Sequence, residues 1–223
     1  MTQPGIIEKT EAFLREKFDG SAFLNTHPSD KAYRLEHTFR VANIGREIAR
    51  GEGFDETELV VACLLHDVSY CEEFGEDGWR NHGRRAAAIA RPFLLSLGLP
   101  RARIDDICYG IAIHVDDEAD FQGERTPFAL SVGDADNIDR FDVYRIHEIL
   151  AGDRFLEMDL NGKTAYVARR LDRLNKLPAV PTGTPTAGKL WNERLSFQIA
   201  FFEKLAAQLQ NSRVKNDLGG ESC

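Results

Sequence analysis

Between Asp55 and Asp67 the chain places seven apolar residues in succession, Leu59-Val60-Val61-Ala62-Cys63-Leu64-Leu65, and closes them with His66-Asp67. A helix that is hydrophobic on every side has to be buried on every side. The segment Glu56 to His66 is therefore predicted to be a short, thoroughly buried helix, with Cys63 acting as a small buried hydrophobe. The histidine and aspartate emerge where that helix ends and the backbone changes direction, so both side chains can point together into a cleft. Neutral imidazole and carboxylate suit Zn, Fe, Mn, Co or Ni without any thiolate.

The surrounding sequence is dominated by helical periodicity. Leu35, Phe39, Ala42 and Ile48 recur at helical steps within Tyr33 to Arg50, giving one core-facing side. An alanine-rich helix is predicted from Asn81 or His82 to Leu97, stopped by Gly98-Leu99-Pro100. Another spans Ala102 to His114, and Thr126-Pro127 reads as an N-cap and first helical position of a helix reaching about Arg140. Amphipathic helices are predicted at Ile6 to Phe18 and Leu190 to Leu209, with further helix from Asp142 to about Leu150 and from Thr164 to Leu174. Asp19 to Asp30 reads as a loop and Pro178 to Gly188, with three prolines and two glycines, as a linker. No run alternates apolar and polar residues long enough for a sheet. The predicted fold is all-α, a single domain over residues 1–223 with a polar, frayed tail at 211–223. The C-terminal helix at 189–210 is expected to pack on the core or on a second copy as a homodimer.

Composition limits the classes of function. With 43 % hydrophobic and 29 % charged residues the chain is globular rather than disordered. Its net charge of −8, from 28 basic and 36 acidic residues, argues against a nucleic-acid polymer as partner, though local arginines can still hold a small phosphorylated molecule. No stretch approaches the roughly 20 apolar residues that span a bilayer, and Met1-Thr2-Gln3-Pro4-Gly5 lacks the pattern of a signal peptide. The cysteines Cys63, Cys71, Cys108 and Cys223 form no C-x-x-C pair. A reducing, cytoplasmic setting is expected.

A histidine-aspartate dipeptide alone says little, but here it belongs to a series. His37 lies within one predicted helix, His66-Asp67 closes the next, His82 opens the third, His114 closes the fourth and Asp136 lies in the fifth. Successive helices each contributing an inward ligand is how helical bundles build interior metal sites. The order H…HD…H…H…D in this context resembles the HD-domain superfamily of metal-dependent phosphohydrolases over residues 33–145. The resemblance is carried by His37 with Arg40-Val41, by Leu64-Leu65-His66-Asp67, and by Asp134-Ala135-Asp136 followed by Ile138. The C-terminal Thr186-Ala187, Arg194, Phe197 and Phe201-Phe202 resemble a little-characterised bacterial branch of it.

The resemblance implies that His37, His66, Asp67 and Asp136 hold a first divalent metal, with Asp134 as the rival to Asp136. His82 and His114 match the extra histidines of two-metal members, in which Asp67 bridges; alternatively they contact substrate phosphate. The cofactor is then one or two ions of Mn, Co, Ni, Zn, Mg or Fe, and Asp67 orients the nucleophile or takes its proton. The implied activity is hydrolysis of a phosphomonoester or phosphodiester in a small, nucleotide-like or otherwise phosphorylated metabolite. Arg84 and Arg85, early in the His82 helix, are candidate phosphate clamps, with Arg40 as a further substrate contact. Glu72 and Glu73 are candidates for general acid or substrate selection. Two other functions fit the same ligands: an HD-type di-iron oxygenase, and a metal-containing nucleotide-binding regulatory module, against which the completely filled ligand set counts.

Other signals carry less. Gly183 to Leu190 nearly fits a P-loop, but Leu190 replaces the magnesium-binding hydroxyl and Pro178 and Pro181 interrupt any preceding strand. The acidic run Asp134 to Asp139 fails the calcium-loop pattern at Ile138. His27 and His147 stand outside the series, and Trp79 and Trp191 are expected to anchor a core or an interface.

Overall fold

The computed structural model of the chain describes residues 5–75, 78–177 and 180–212, and among them every regular element is a helix. In chain order these are α1 (Ile6–Asp19), α2 (Ala22–Thr26), α3 (Pro28–Glu52), α4 (Glu56–Leu65), α5 (His82–Ser96), α6 (Arg101–Ile113), α7 (Pro127–Asp139), α8 (Val143–Gly152), α9 (Leu160–Leu174) and α10 (Pro185–Gln210). Short 3-10 turns occupy Val68–Cys71, Gly78–Asn81 and Phe155–Glu157. The all-α architecture read from periodicity is the one adopted. The chain divides into two compact units, Met1–Arg140 with Pro181–Leu190, and Phe141–Val180 with Trp191–Cys223.

In the first unit α4 is the central strut. Asp55 caps it by accepting a hydrogen bond from the Glu58 amide at 3.0 Å, and all seven residues from Leu59 to Leu65 are buried. The helix packs against α1, α3, α6 and α7, which is what an all-round apolar surface requires. Small residues set how closely the helices approach. A Cβ on Gly45 of α3 would lie 2.6 Å from the Cys63 sulfur, and one on Gly83 of α5 would lie 2.6 Å from the Ala112 carbonyl oxygen of α6. At Gly83 the obstacle is backbone, so a larger side chain would push the helices apart, whereas at Gly45 the Cys63 side chain would have to give way. Cys63 is fully buried, as its place in the apolar run predicts.

The second unit packs α8, α9 and the later part of α10 around Ile146, Phe155, Val167, Leu174, Leu195 and Phe202. Trp191 is buried there against Phe141, with ring centroids 4.5 Å apart. Gln198 donates to the Phe141 carbonyl at 2.9 Å. Trp79, by contrast, is 54 % exposed and contributes no core anchor. His27 and His147 are exposed, as their absence from the series suggests.

Two stretches read as irregular turn out to be partly helical. Within Asp19 to Asp30, Ser21 caps α2 by accepting from the Leu24 amide at 3.0 Å, and Leu24 is buried. Pro28 then opens α3, its fixed φ suiting the first helical position. Of the Pro178 to Gly188 stretch, residues 178 and 179 lie outside the described residues, and α10 already begins at Pro185. Thr184 accepts from the Ala187 amide at 3.1 Å, so the composition of a linker concealed a cap followed by proline. Similarly α9 starts at Leu160 rather than Thr164, because Asp159 caps it through the Gly162 amide at 2.7 Å.

The start of α10 is tied to the end of α3, since Glu52 accepts from the Thr186 amide at 2.8 Å. Hydrogen bonds from the Thr186 hydroxyl and then its amide hold the Glu52 carboxyl below its ordinary value. A depressed folded pKa adds stability that is present at neutral pH and is lost as pH falls through the carboxylate range. Glu52→Gln is expected to lower the thermal midpoint at pH 7, with the difference from the parent shrinking toward zero near pH 3. Paired thermal melts at the two pH values check this, and an equal difference at both would refute the charge-based account.

Candidate metal centre

Four helix-borne histidines converge at one end of α4. His37 comes from α3, His66 from the C-terminal end of α4, His82 from the first turn of α5, and His114 from the C-terminal end of α6. Asp67 follows His66, and Asp136 comes from α7. The side chains of His37, His66, Asp67 and His114 are at most 3 % exposed, while His82 is 12 % and Asp136 10 % exposed. The cluster is therefore inside the unit and meets solvent on the His82 and Asp136 side.

Asp67 stands between two pairs of imidazoles. Its Oδ2 lies 3.7 Å from His37 Nε2 and 3.6 Å from His66 Nε2. Its Oδ1 lies 3.2 Å from His82 Nε2 and 3.7 Å from His114 Nε2. Asp136 Oδ1 completes the first group at 3.1 Å from His37 Nε2 and 3.9 Å from His66 Nε2. The structure thus forms two adjacent donor groups, His37–His66–Asp67 and Asp67–His82–His114, that share one carboxylate.

The backbone orients each ring. His66 Nδ1 bonds the Cys63 carbonyl at 2.7 Å, His114 Nδ1 the Ile111 carbonyl at 2.7 Å, and His82 Nδ1 the Trp79 carbonyl. A carbonyl only accepts, so each of these Nδ1 atoms carries a proton and each Nε2 is turned inward, where a neutral ring offers a lone pair. Two consequences follow. His66 Nε2 is buried with no hydrogen-bond partner. His82 Nε2 and His114 Nε2 face each other at 3.0 Å beside a carboxylate oxygen. Two basic nitrogens this close beside a carboxylate call for a positive charge between them, a proton or a metal ion. Donor atoms held by one divalent ion at ~2.1 Å would sit roughly 3.0–3.5 Å apart, which the separations in both groups approach. The residues present fit a divalent metal.

Protonation of the individual groups follows their surroundings. Burial pushes His66 down to about 4, and the nearby carboxylates only partly offset it, so its ring is neutral. Burial also opposes a charge on His37, but hydrogen bonds to Asp136 and Asp139 outweigh it and raise the ring to about 9. For Asp67, burial works against ionisation and is overcome by His66, His114, His82 and Arg34, which hold it well below the usual range. Asp136 is lowered in the same manner, burial being outweighed by His37 and His66.

The rotation of α7 separates the two aspartates that the sequence left as rivals. Asp136 faces the imidazoles, whereas Asp134 accepts from the Gly183 amide at 2.8 Å and is raised to about 6 by burial. The arginines are distributed differently from the sequence reading. Arg84 pairs with Asp116 at 3.0 Å, Arg85 with Glu72 at 2.6 Å, and Arg40 with Asp139 at 2.7 Å, while Glu73 is exposed. The Arg85–Glu72 pair lines a surface groove with Phe13, Lys17 and Phe93. The cations that touch candidate ligands are Arg34, 2.9 Å from Asp67 Oδ2, and Arg140, 3.6 Å from Asp136 Oδ2. Arg34 is also held flat on Tyr70, its guanidinium carbon 3.4 Å from the ring centroid.

Asp139 is the residue that sequence reasoning missed most consequentially. It accepts from His37 Nδ1 at 2.7 Å and from Arg40 Nε at 2.7 Å. Its signal was available, since it follows Asp136 by three residues and so shares its helix face. Arg34 stands three residues before His37 in the same way.

An all-helical unit that buries four imidazoles and two carboxylates around shared donor atoms defines a class, bundle proteins with an interior His/Asp centre able to hold divalent metal. Residues 34–142, which contain every one of these donors, match the family model of the HD domain. A crystal structure of a predicted HD superfamily hydrolase from an uncultured Thermotogales bacterium has the same fold, with a TM-score of 0.60 at 22 % identity over 90 % of this chain and 91 % of that one. No functionally curated protein matches the chain. Among the described residues no helix is long and apolar enough to cross a membrane.

Carboxylate partners behind a ligating histidine commonly support metal affinity by about 10–100-fold. Asp139→Asn is accordingly expected to weaken metal binding by about that factor while the far-UV circular dichroism stays unchanged. Competition with a chromogenic chelator measures it, and an unaltered affinity would show that Asp139 serves only Arg40.

Proposed function

We propose that this chain is a metal-dependent phosphohydrolase acting on a small phosphorylated metabolite. The observation that carries the reading is Asp67, whose two oxygens each face a separate pair of imidazole nitrogens in a buried centre. His37, His66, Asp67 and Asp136 would hold a first divalent ion, and Asp67, His82 and His114 a second. When bound, such ions supply Lewis acidity, polarising a phosphoryl oxygen and making water a competent nucleophile near neutral pH.

The chain's own residues do the rest. Asp67 is held as an anion and orients the incoming water by its position between the two groups. Arg34 and Arg140 stand against the carboxylates of Asp67 and Asp136, and their guanidinium forks match phosphate oxygens. They take the clamping role for which Arg84 and Arg85 were candidates, because they adjoin the candidate ligands themselves, whereas Arg84 and Arg85 pair with Asp116 and Glu72. Burial around His66 and His114 keeps bulk water from competing for the ligand nitrogens. The HD family and the predicted hydrolase fold of the Thermotogales protein support hydrolysis as the reaction class. The same six donors also fit a di-iron oxygenase, and the metal decides between the two.

Elemental analysis of the purified chain beside a His66→Ala/Asp67→Ala control, followed by phosphate release from a panel of phosphomonoesters and phosphodiesters, tests the proposal. The expected outcome is one or two equivalents of Mn, Co, Ni or Zn and metal-dependent turnover, both lost in the control. Two equivalents of iron with oxygen-dependent turnover would overturn it in favour of the oxygenase, and metal binding with no phosphoester turnover would overturn the hydrolase reading. A saturating stoichiometry that falls from two to one in His82→Ala supports two ions.

Loss of a hydrogen bond to a charged group costs about 1.5–3 kcal/mol, or roughly 10–100-fold in kcat/KM. Arg34→Ala is expected to lose that much on the best substrate found, and Arg84→Ala/Arg85→Ala to lose little. Steady-state kinetics of the three proteins checks it, and the reverse order would return the clamp to α5.

A further inference from the structure

Within the second unit, α9 carries a charge distribution that neither the metal centre nor the packing of the unit uses. From Leu160 to Leu174 it holds Lys163, Arg169, Arg170 and Arg173 against a single acid, Asp172, whose carboxylate is bound to Lys176 at 2.6 Å. At 100° per residue, Tyr166, Arg169, Arg170 and Arg173 fall within one arc of about 100°. The stripe borders a concavity of about 540 Å³ lined by Asp153, Met158, Tyr166 and the three arginines.

The cations in this stripe outnumber the acids beside them. Among the described residues one carboxylate lines the concavity, Asp153, which accepts from the Tyr166 hydroxyl at 2.7 Å and also faces Arg170 electrostatically. Among the described residues no ion pair involves Arg169, Arg170 or Arg173. Arg170 is partly withdrawn over Phe202, 6.0 Å from the ring centroid, and its Nε is buried without a hydrogen-bond partner. Burial, with Arg173 and Arg145 nearby, lowers the Arg170 guanidinium below its ordinary value and outweighs the opposing pull of Tyr166 and Asp153. Like charges one turn apart on a helix repel, and a chain of net charge −8 has many acids that could have been placed opposite them.

We propose that this concavity is a second binding site, for the phosphoryl group of a small phosphorylated molecule. Arg169 and Arg173, one turn apart and exposed, would grip the phosphoryl oxygens from two sides, and Arg170 would receive one from beneath. Met158 and the Tyr166 ring form the apolar wall for the organic part. The volume exceeds what a bare inorganic anion fills, which favours a phosphorylated metabolite or a diphosphate over a simple ion. A nucleic-acid chain is disfavoured because the cations form one pocket on an acidic protein rather than a continuous track.

The probe is inorganic pyrophosphate, titrated calorimetrically into the full chain in EDTA so that metal-assisted binding elsewhere is silenced. The comparison proteins are Arg169→Glu/Arg173→Glu, two exposed positions whose exchange leaves the core intact by circular dichroism, and His66→Ala/Asp67→Ala. Saturable binding at one site is expected, weakened about 100-fold or more in the arginine variant and unchanged in the metal-centre variant. Binding that survives Arg169→Glu/Arg173→Glu, or that disappears in His66→Ala/Asp67→Ala, would overturn the proposal. So would absence of pyrophosphate binding, or a preference for a single-stranded oligonucleotide over pyrophosphate that tracks the same arginines.

Discussion

The Asp67 carboxylate is 3 % exposed, and an anion taken that far out of water costs several kcal/mol unless its surroundings restore what solvent supplied. Here the restoration comes from every direction. Arg34 donates to Oδ2, and imidazoles from four separate helices approach the two oxygens in pairs. The geometry of α3, α5 and α6 relative to α4 is constrained by this requirement as much as by apolar packing. Should one helix withdraw, the carboxylate would be left buried and under-compensated, which makes the polar centre an all-or-none feature of the unit.

Short side chains make that demand severe. A histidine or aspartate reaches only a few ångströms from its helix, so six of them can share donor contacts only where the backbones themselves come close. Gly45 against Cys63 and Gly83 against the Ala112 carbonyl are where the helices close in. The second position adjoins His82 directly and lies 3.1 Å, measured from its would-be Cβ, from His114 Nδ1. Three of the rings are then locked by the same device, an Nδ1 bond to the carbonyl three residues earlier in sequence. His37 lies inside α3, where the carbonyls are engaged in the helix ladder, and it relies on Asp139 instead.

Net charge and local charge tell different stories about this chain. The chain is acidic overall, yet some of its arginines gather locally. Arg34 and Arg140 stand beside the candidate metal-binding carboxylates, and the stripe on α9 faces its own concavity. Other arginines are paired with acids, as in Arg84–Asp116 and Arg50–Glu56. Coulomb interactions in solvent fade within a Debye length of about 8 Å, so ligand choice depends on such local arrangements and not on the total.

Much of the fold and of the candidate centre was legible in the sequence, because the informative quantities are local. The buried α4 follows from seven apolar residues in a row, the cap at Thr126 from residue type and spacing, and the donors His37, His66, Asp67, His82, His114 and Asp136 from their placement on successive helices together with the resemblance to the HD superfamily. Short helices hidden in turn-like composition, α2 and the start of α10, were less legible because a cap and a proline serve loops and helix starts alike. What only the tertiary structure decided is which polar side chain meets which. The rotation of α7 turns Asp136 toward the imidazoles and Asp134 toward the Gly183 amide. The crossings of α3 with α4 and α7 bring Arg34 to Asp67 and Asp139 to His37, and leave Arg84 and Arg85 paired with acids of their own. Periodicity specifies which face of a helix is apolar to within a residue or so, whereas a hydrogen bond is made or lost over less than an ångström, and that precision comes from packing one helix against another.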